Sequence, residues 1–113
     1  MSAPLFALRV FHPTRDPREI TDALGLPPQT SWAAGGGHAE TFWQTALAGN
    51  ETGRSDVESG LRDIAARFAH YRFFVDEIRD GGGRVEVAVG GAAPEAAWIG
   101  IFCDLGIALV TTP

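Results

Sequence analysis

The chain has no lysine, one cysteine, one tyrosine and no long hydrophobic run. Each shortage removes something. With Cys103 alone, no intrachain disulfide can form and nothing demands an oxidising compartment. No apolar stretch approaches the ~20 residues that a membrane-spanning helix needs. The opening MSAPLFALRVFHP carries an apolar patch without a preceding basic region or a cleavage site, so it reads as a first strand and not as a leader. A cytoplasmic protein without membrane contact is the expectation. All nine basic residues are arginine, spread from Arg9 to Arg84, and they face fourteen acidic ones. A net charge of −5 without a basic cluster argues against nucleic acid, whose phosphates need clustered cations.

The catalytic constellations are equally sparse. His12, His38 and His70 are the only histidines, and none is paired at the i, i+3 or i+4 spacing of metal ligands. No metal and no cofactor is expected. Cys103 sits among Ile99, Ile101 and Phe102, where a buried, inert thiol is the expectation. The serines show no nucleophile elbow. The glycine triplets at Gly35 and Gly81 lack the spacing of phosphate loops.

What is present is a chain of 113 residues with 45% apolar content, enough for a single α+β domain over 1–113 with one core. Leu5 to Phe11 alternates, placing Phe6, Leu8 and Val10 on one face and Leu5, Ala7, Arg9 and Phe11 on the other. Asp16, Pro17 and Glu19 form a capping box with proline at the first helical position. Ile20, Ala23 and Leu24 give that helix its inner face, and Gly25 with Pro27-Pro28 stops it. Gln29 to Ala34 and Glu40 to Ala46 read as extended segments around Gly35-Gly36-Gly37, which suits a loose hairpin loop.

Ser55 and Glu58 make a second capping box. Behind it Val57, Leu61, Ile64, Phe68, Tyr71, Val75 and Ile78 recur at steps of four and three. One helix over that span would be about 36 Å long, so a break near Ala69 to Phe73 is expected. Glycines 81–83 end it, and Arg84 to Val89 follows as a strand with Val85, Val87 and Val89 inward and Glu86 outward. Pro94 opens a further helix. Trp98, Ile101, Phe102 and Leu105 line one side of it and Ile99 and Cys103 the flank, so cover on more than one side is expected. Ile107 to Thr112 makes the last strand. The order is βαββαβ with an αβ extension, which matches the ferredoxin-like two-layer sandwich with a mainly antiparallel sheet. Arg9, Glu86 and either Phe42 or Trp43 would look out from the face without helices, with Arg9 and Glu86 as a possible cross-strand pair.

The run Glu19-Ile20-Thr21, Leu24-Gly25-Leu26, Pro28, the glycine loop, Trp43, the long helix, the valine strand and the closing Leu105-Gly106-Ile107 resembles the bacterial family catalogued as domain of unknown function 4279. The resemblance covers nearly the whole chain. That family has no assigned activity to carry over; small bacterial domains of this sort sometimes serve as immunity or accessory proteins.

The residues that suit recognition are Arg9, Trp32, His38, Glu40, Trp43 and Glu86, since tryptophan and arginine are enriched at interface hot spots and an open sheet face is a docking surface. The expected function is a noncatalytic binding or protein-interaction module. Its partner would be a second copy, a homodimer through the open sheet face or the apolar last helix, or another protein. The alternative is a small enzyme or metabolite binder at the glycine loop, using His38, Glu40, Trp32 and Trp43.

Overall fold

The computed structural model describes residues 6–47, 57–90 and 94–112. Its elements are β1 (Phe6–His12), α1 (Pro17–Leu24), β2 (Thr30–Trp32), β3 (Thr41–Ala46), α2 (Val57–Ala69), α3 (Arg72–Asp80), β4 (Arg84–Gly90), α4 (Ala96–Asp104) and β5 (Ile107–Thr112). The strands form one sheet in the order β2-β3-β1-β4-β5. The first three neighbouring pairs are antiparallel and β4 with β5 is parallel, so the sheet is mixed. The parallel pair follows from connectivity: α4 carries the chain from β4 back to the end of the sheet where β4 began, so β5 must run the same way.

Strand alternation decides the layers. Phe6, Leu8 and Val10 of β1, Thr41, Trp43 and Thr45 of β3, and Val85, Val87 and Val89 of β4 are all buried. They share one core with Ile20 and Leu24 of α1, Leu61, Ile64 and Phe68 of α2, Phe74, Val75 and Ile78 of α3, and Phe102 of α4. The helices therefore cover one face of the sheet. Among the described residues no helix is long and apolar enough to cross a membrane.

Local chemistry accounts for the helix ends. The Asp16 carboxylate accepts the Arg18 N–H at 2.9 Å, Pro17 occupies the first turn, and Gly25 closes α1 at φ 68°. The break expected near Ala69 to Phe73 falls at His70 and Tyr71, between α2 and α3. There the His70 and Tyr71 N–H groups donate to Arg67 and Phe68 in a tightened turn. The Tyr71 hydroxyl donates to the Leu24 carbonyl at 3.2 Å, so the bend also satisfies an orphan acceptor at the end of α1. Ser55 and the Glu58 side chain, the second capping box, lie outside the described residues.

Two expectations for the last helix need correction. Ile99 and Ile101 are 46% and 43% exposed, and Cys103 is exposed as well, not buried. The cause is position: α4 packs on β5 at the margin of the sheet, and only Phe102 is buried, with Trp98 and Leu105 partly so. An all-round apolar pattern implies cover on all sides only when there are elements on all sides to provide it.

Candidate functional site

The face of the sheet away from the helices is built in rows, because residues opposite one another on neighbouring strands point to the same side. Trp32 of β2 stands opposite Phe42 of β3, Phe42 opposite Phe11 of β1, and Phe11 opposite Arg84 of β4. Their side chains form a continuous line. The ring centroids of Trp32 and Phe42 are 4.8 Å apart and those of Phe42 and Phe11 are 5.2 Å apart. The Arg84 guanidinium lies 3.8 Å over the Phe11 ring, a cation–π arrangement.

The glycine loop completes the other end. Gly35 and His38 exchange backbone hydrogen bonds, N–H to carbonyl, of 2.8 and 3.1 Å, which leaves Gly36 and Gly37 as a two-residue turn at φ 58° and 103°. Two successive positive φ values define the turn that matches strand twist, and glycine adopts them without strain. The loop is thus tight and not loose. It sets the His38 imidazole on the Trp32 indole at 4.7 Å with the planes 16° apart.

Behind the aromatic row runs a polar one, in which Thr30, Gln44, Arg9 and Glu86 stand opposite one another in turn. The Arg9 Nε donates to the Gln44 Oε1 at 3.0 Å. Arg9 and Glu86 are register partners, yet Glu86 is matched with Arg84 at 3.4 Å. Glu40 lies 3.6 Å from the same guanidinium. One cation is held between two carboxylates at the end of the aromatic line. Exposed pairs of this kind add little stability, so their effect is on where Arg84 points.

Of the sequence candidates, Arg9, Trp32, His38, Glu40 and Glu86 belong to this face or its rim. Trp43 does not. It is fully buried on the helix side, and its indole Nε1 donates to the Thr21 hydroxyl at 3.0 Å. Phe42 therefore takes the outward place that was open to either residue. Phe11, Gln44 and Arg84 are added by the structure. Phe11 was visible as an outward residue of β1, but only the pairing register sets Phe42 and Arg84 beside it.

His12 is used structurally. It is buried, and its Nδ1 accepts the N–H groups of Thr14 and Arg15 at 3.1 and 2.9 Å, shaping the entry to α1. Burial first, and then the charge of Arg15, holds its pKa below the usual histidine value, with Glu19 opposing. Among the described residues no three His, Cys, Asp or Glu side chains gather as metal ligands would. Cys103 lines a groove of about 360 Å³ with Arg79, Arg84, Ile99, Ile107 and Leu109, so the groove meets the aromatic row only at Arg84. No protein-family model, curated protein or solved structure matches this chain.

Proposed function

We propose that the protein is a noncatalytic binding module that docks a protein partner on its open sheet face. The observation that carries this is the line His38, Trp32, Phe42, Phe11 and Arg84, laid across four strands on the side without helices. Aromatic and arginine side chains supply large contact area at low entropic cost, and a sheet presents them in one plane. The test uses wild type and a Trp32→Ala/Phe42→Ala variant as baits in extracts of the source cell. Proteins retained by the wild type and lost by the variant are expected; identical retained sets would refute the reading.

The same proposal takes the elements from β1 to β4, with α2 and α3 as the two halves of one helix, as a ferredoxin-like sandwich extended by α4 and β5, and the chain as a cytoplasmic relative of the bacterial family of unknown function 4279. The strand order β2-β3-β1-β4 supports the first, and the single cysteine supports a reducing compartment. An immunity or accessory role would suit a docking face. A homodimer belongs to the proposal too, supported by the exposed Ile99 and Ile101 of α4.

One observation favours the second reading, a small metabolite binder or small enzyme at the glycine loop: the tight turn holds His38 in parallel stacking on Trp32 beside Glu40. Under the docking reading, His38→Ala leaves stability and self-association intact and weakens only the hold on the protein partner. Loss of a catalysed reaction or of a ligand-induced change in tryptophan fluorescence in that variant would transfer the assignment to the loop.

A further inference from the structure

The two margins of the sheet are unequal. β2 is an edge of three residues, short enough to be a poor template. β5 is an edge of six residues, Ile-Ala-Leu-Val-Thr-Thr, and beyond it no further strand lies among the described residues. Alternate backbone N–H and C=O groups of such a strand point away from its one neighbour. Sheets commonly protect an edge of this kind with lysine, proline, an inward charge or a bulge. β5 has no lysine, proline or charge, and its pairing with β4 runs without a bulge from Val85 opposite Ile107 to Gly90 opposite Thr112.

The surroundings of β5 are apolar. α4 packs along β5 on the helix side and exposes Ile99 and Ile101 there. Ile99 and Cys103, one turn apart, line the 360 Å³ groove together with Ile107, Ala108 and Leu109, and Arg79 and Arg84 are the charged residues of its wall. From Ala96 to Thr112 the only charged residue is Asp104.

We propose that this margin is where the protein self-associates: β5 pairs antiparallel with β5 of a second copy about a two-fold axis normal to the sheet, and α4 of each copy flanks the seam. The inference rests on the homodimer reading and assigns the contact to one strand. Charge selects the occupant. Each copy carries −5, so two copies repel wherever their carboxylates meet; this margin carries one, Asp104, with Arg79 and Arg84 at its groove, and so lets them approach with little of that cost. The aromatic row is bordered instead by the carboxylates of Glu40 and Glu86, which a two-fold contact would set against their own kind.

Symmetry fits the side chains as well. A two-fold normal to the sheet keeps inward residues inward, so the pairing centres on Leu109 or Val110 opposite itself. Ile107 and Leu109 then continue the helix-side layer into the second copy, and Ala108 and Val110 continue the open face. The two five-stranded sheets become one.

The experiment is light scattering behind a sizing column over a range of concentrations, on wild type, on Ala108→Glu/Val110→Glu, and on Trp32→Ala/Phe42→Ala. The expected masses are twice the 12.0 kDa chain for wild type and for the open-face variant, and a halved mass for the edge variant with an unchanged circular dichroism spectrum. A wild type that stays monomeric at every concentration would overturn both this inference and the homodimer reading. An edge variant that stays dimeric would overturn the β5 assignment and leave the homodimer reading standing. Should the edge variant not fold, amide exchange on wild type decides: alternate β5 amides are protected at high concentration and lose protection on dilution, and protection that ignores concentration refutes the pairing.

Discussion

Gly60 and Gly100 are both helical glycines, and replacing each with alanine should have opposite effects. In an exposed helix interior alanine is favoured over glycine by about 1 kcal/mol, because it restricts the unfolded chain more. At Gly100 in α4, a Cβ would meet nothing within 4 Å, so Gly100→Ala should gain most of that amount. At Gly60 in α2, a Cβ would lie 2.3 and 2.5 Å from two ring carbons of Phe6. Ordinary contact starts near 3.4 Å, so the ring or the helix must move by about an ångström, and Phe6 is fully buried. Overpacking of this kind costs about 1–3 kcal/mol, which exceeds the helical gain at all but the lowest end. The net expectation for Gly60→Ala is a loss of up to about 2 kcal/mol, or a melting temperature lower by up to about 8 °C for a domain of this size.

Urea and thermal unfolding of the two variants measure both signs. Phe6→Leu, which removes the obstructing ring edge, should make Gly60→Ala cheaper than it is in wild type, so the double-mutant cycle should show coupling of at least about 0.5 kcal/mol. A Gly60→Ala variant as stable as Gly100→Ala would refute the close approach of α2 to β1 and the packing argument built on it.

Trp43 and Trp32 should separate in stability. Trp43→Ala removes a fully buried indole and the bond to Thr21, for a loss of about 3–5 kcal/mol in urea unfolding. Trp32→Ala should cost no more than about 1.5 kcal/mol, the scale of one aromatic pair. Equal losses would mean that the two faces of β3 had been confused. His12 should make stability depend on pH. Its folded pKa is lowered, so the unfolded chain binds the proton more readily; stability is full above the ordinary histidine pKa near 6.5 and falls as pH drops through the window down to the folded value. Denaturant unfolding between pH 7.5 and 5 should show this decline, and His12→Gln should flatten it. An unchanged slope in that variant would place the titration elsewhere.

The features legible in the sequence are those set by neighbours along the chain. The Asp16 cap, the Pro17 start and the Gly25 stop of α1 depend on a few adjacent residues, and they stand where the sequence puts them. The inward sets of β1 and β4 follow from strict alternation of apolar residues. The break after Ala69 follows from length, since one straight helix would outrun the core. The outward face of β3 was not legible, because an aromatic residue stands at both parities, Phe42 and Trp43. Bonds to distant residues settle it: Trp43 reaches Thr21, Thr45 donates to the Pro27 carbonyl at 2.8 Å, and Thr41 donates to the Arg15 carbonyl. The inward threonines look polar in sequence because the acceptors that satisfy them lie 18 and 26 residues away.

The candidate site divides the same way. By itself the sequence determined which residues are chemically suited to recognition, Arg9, Trp32, His38, Glu40, Trp43 and Glu86, because side-chain chemistry is local. It also determined that three glycines would bring the chain around between two strands. The tertiary structure alone decided that Trp43 belongs to the core, that Phe11 and Arg84 complete the row, and that Arg9 turns to Gln44 while Glu86 turns to Arg84. It alone decided that α4 and Cys103 lie at an uncovered margin beside β5. These are consequences of strand register and of an element's place in the sheet, which depend on residues far apart in the chain and leave no trace in the local pattern.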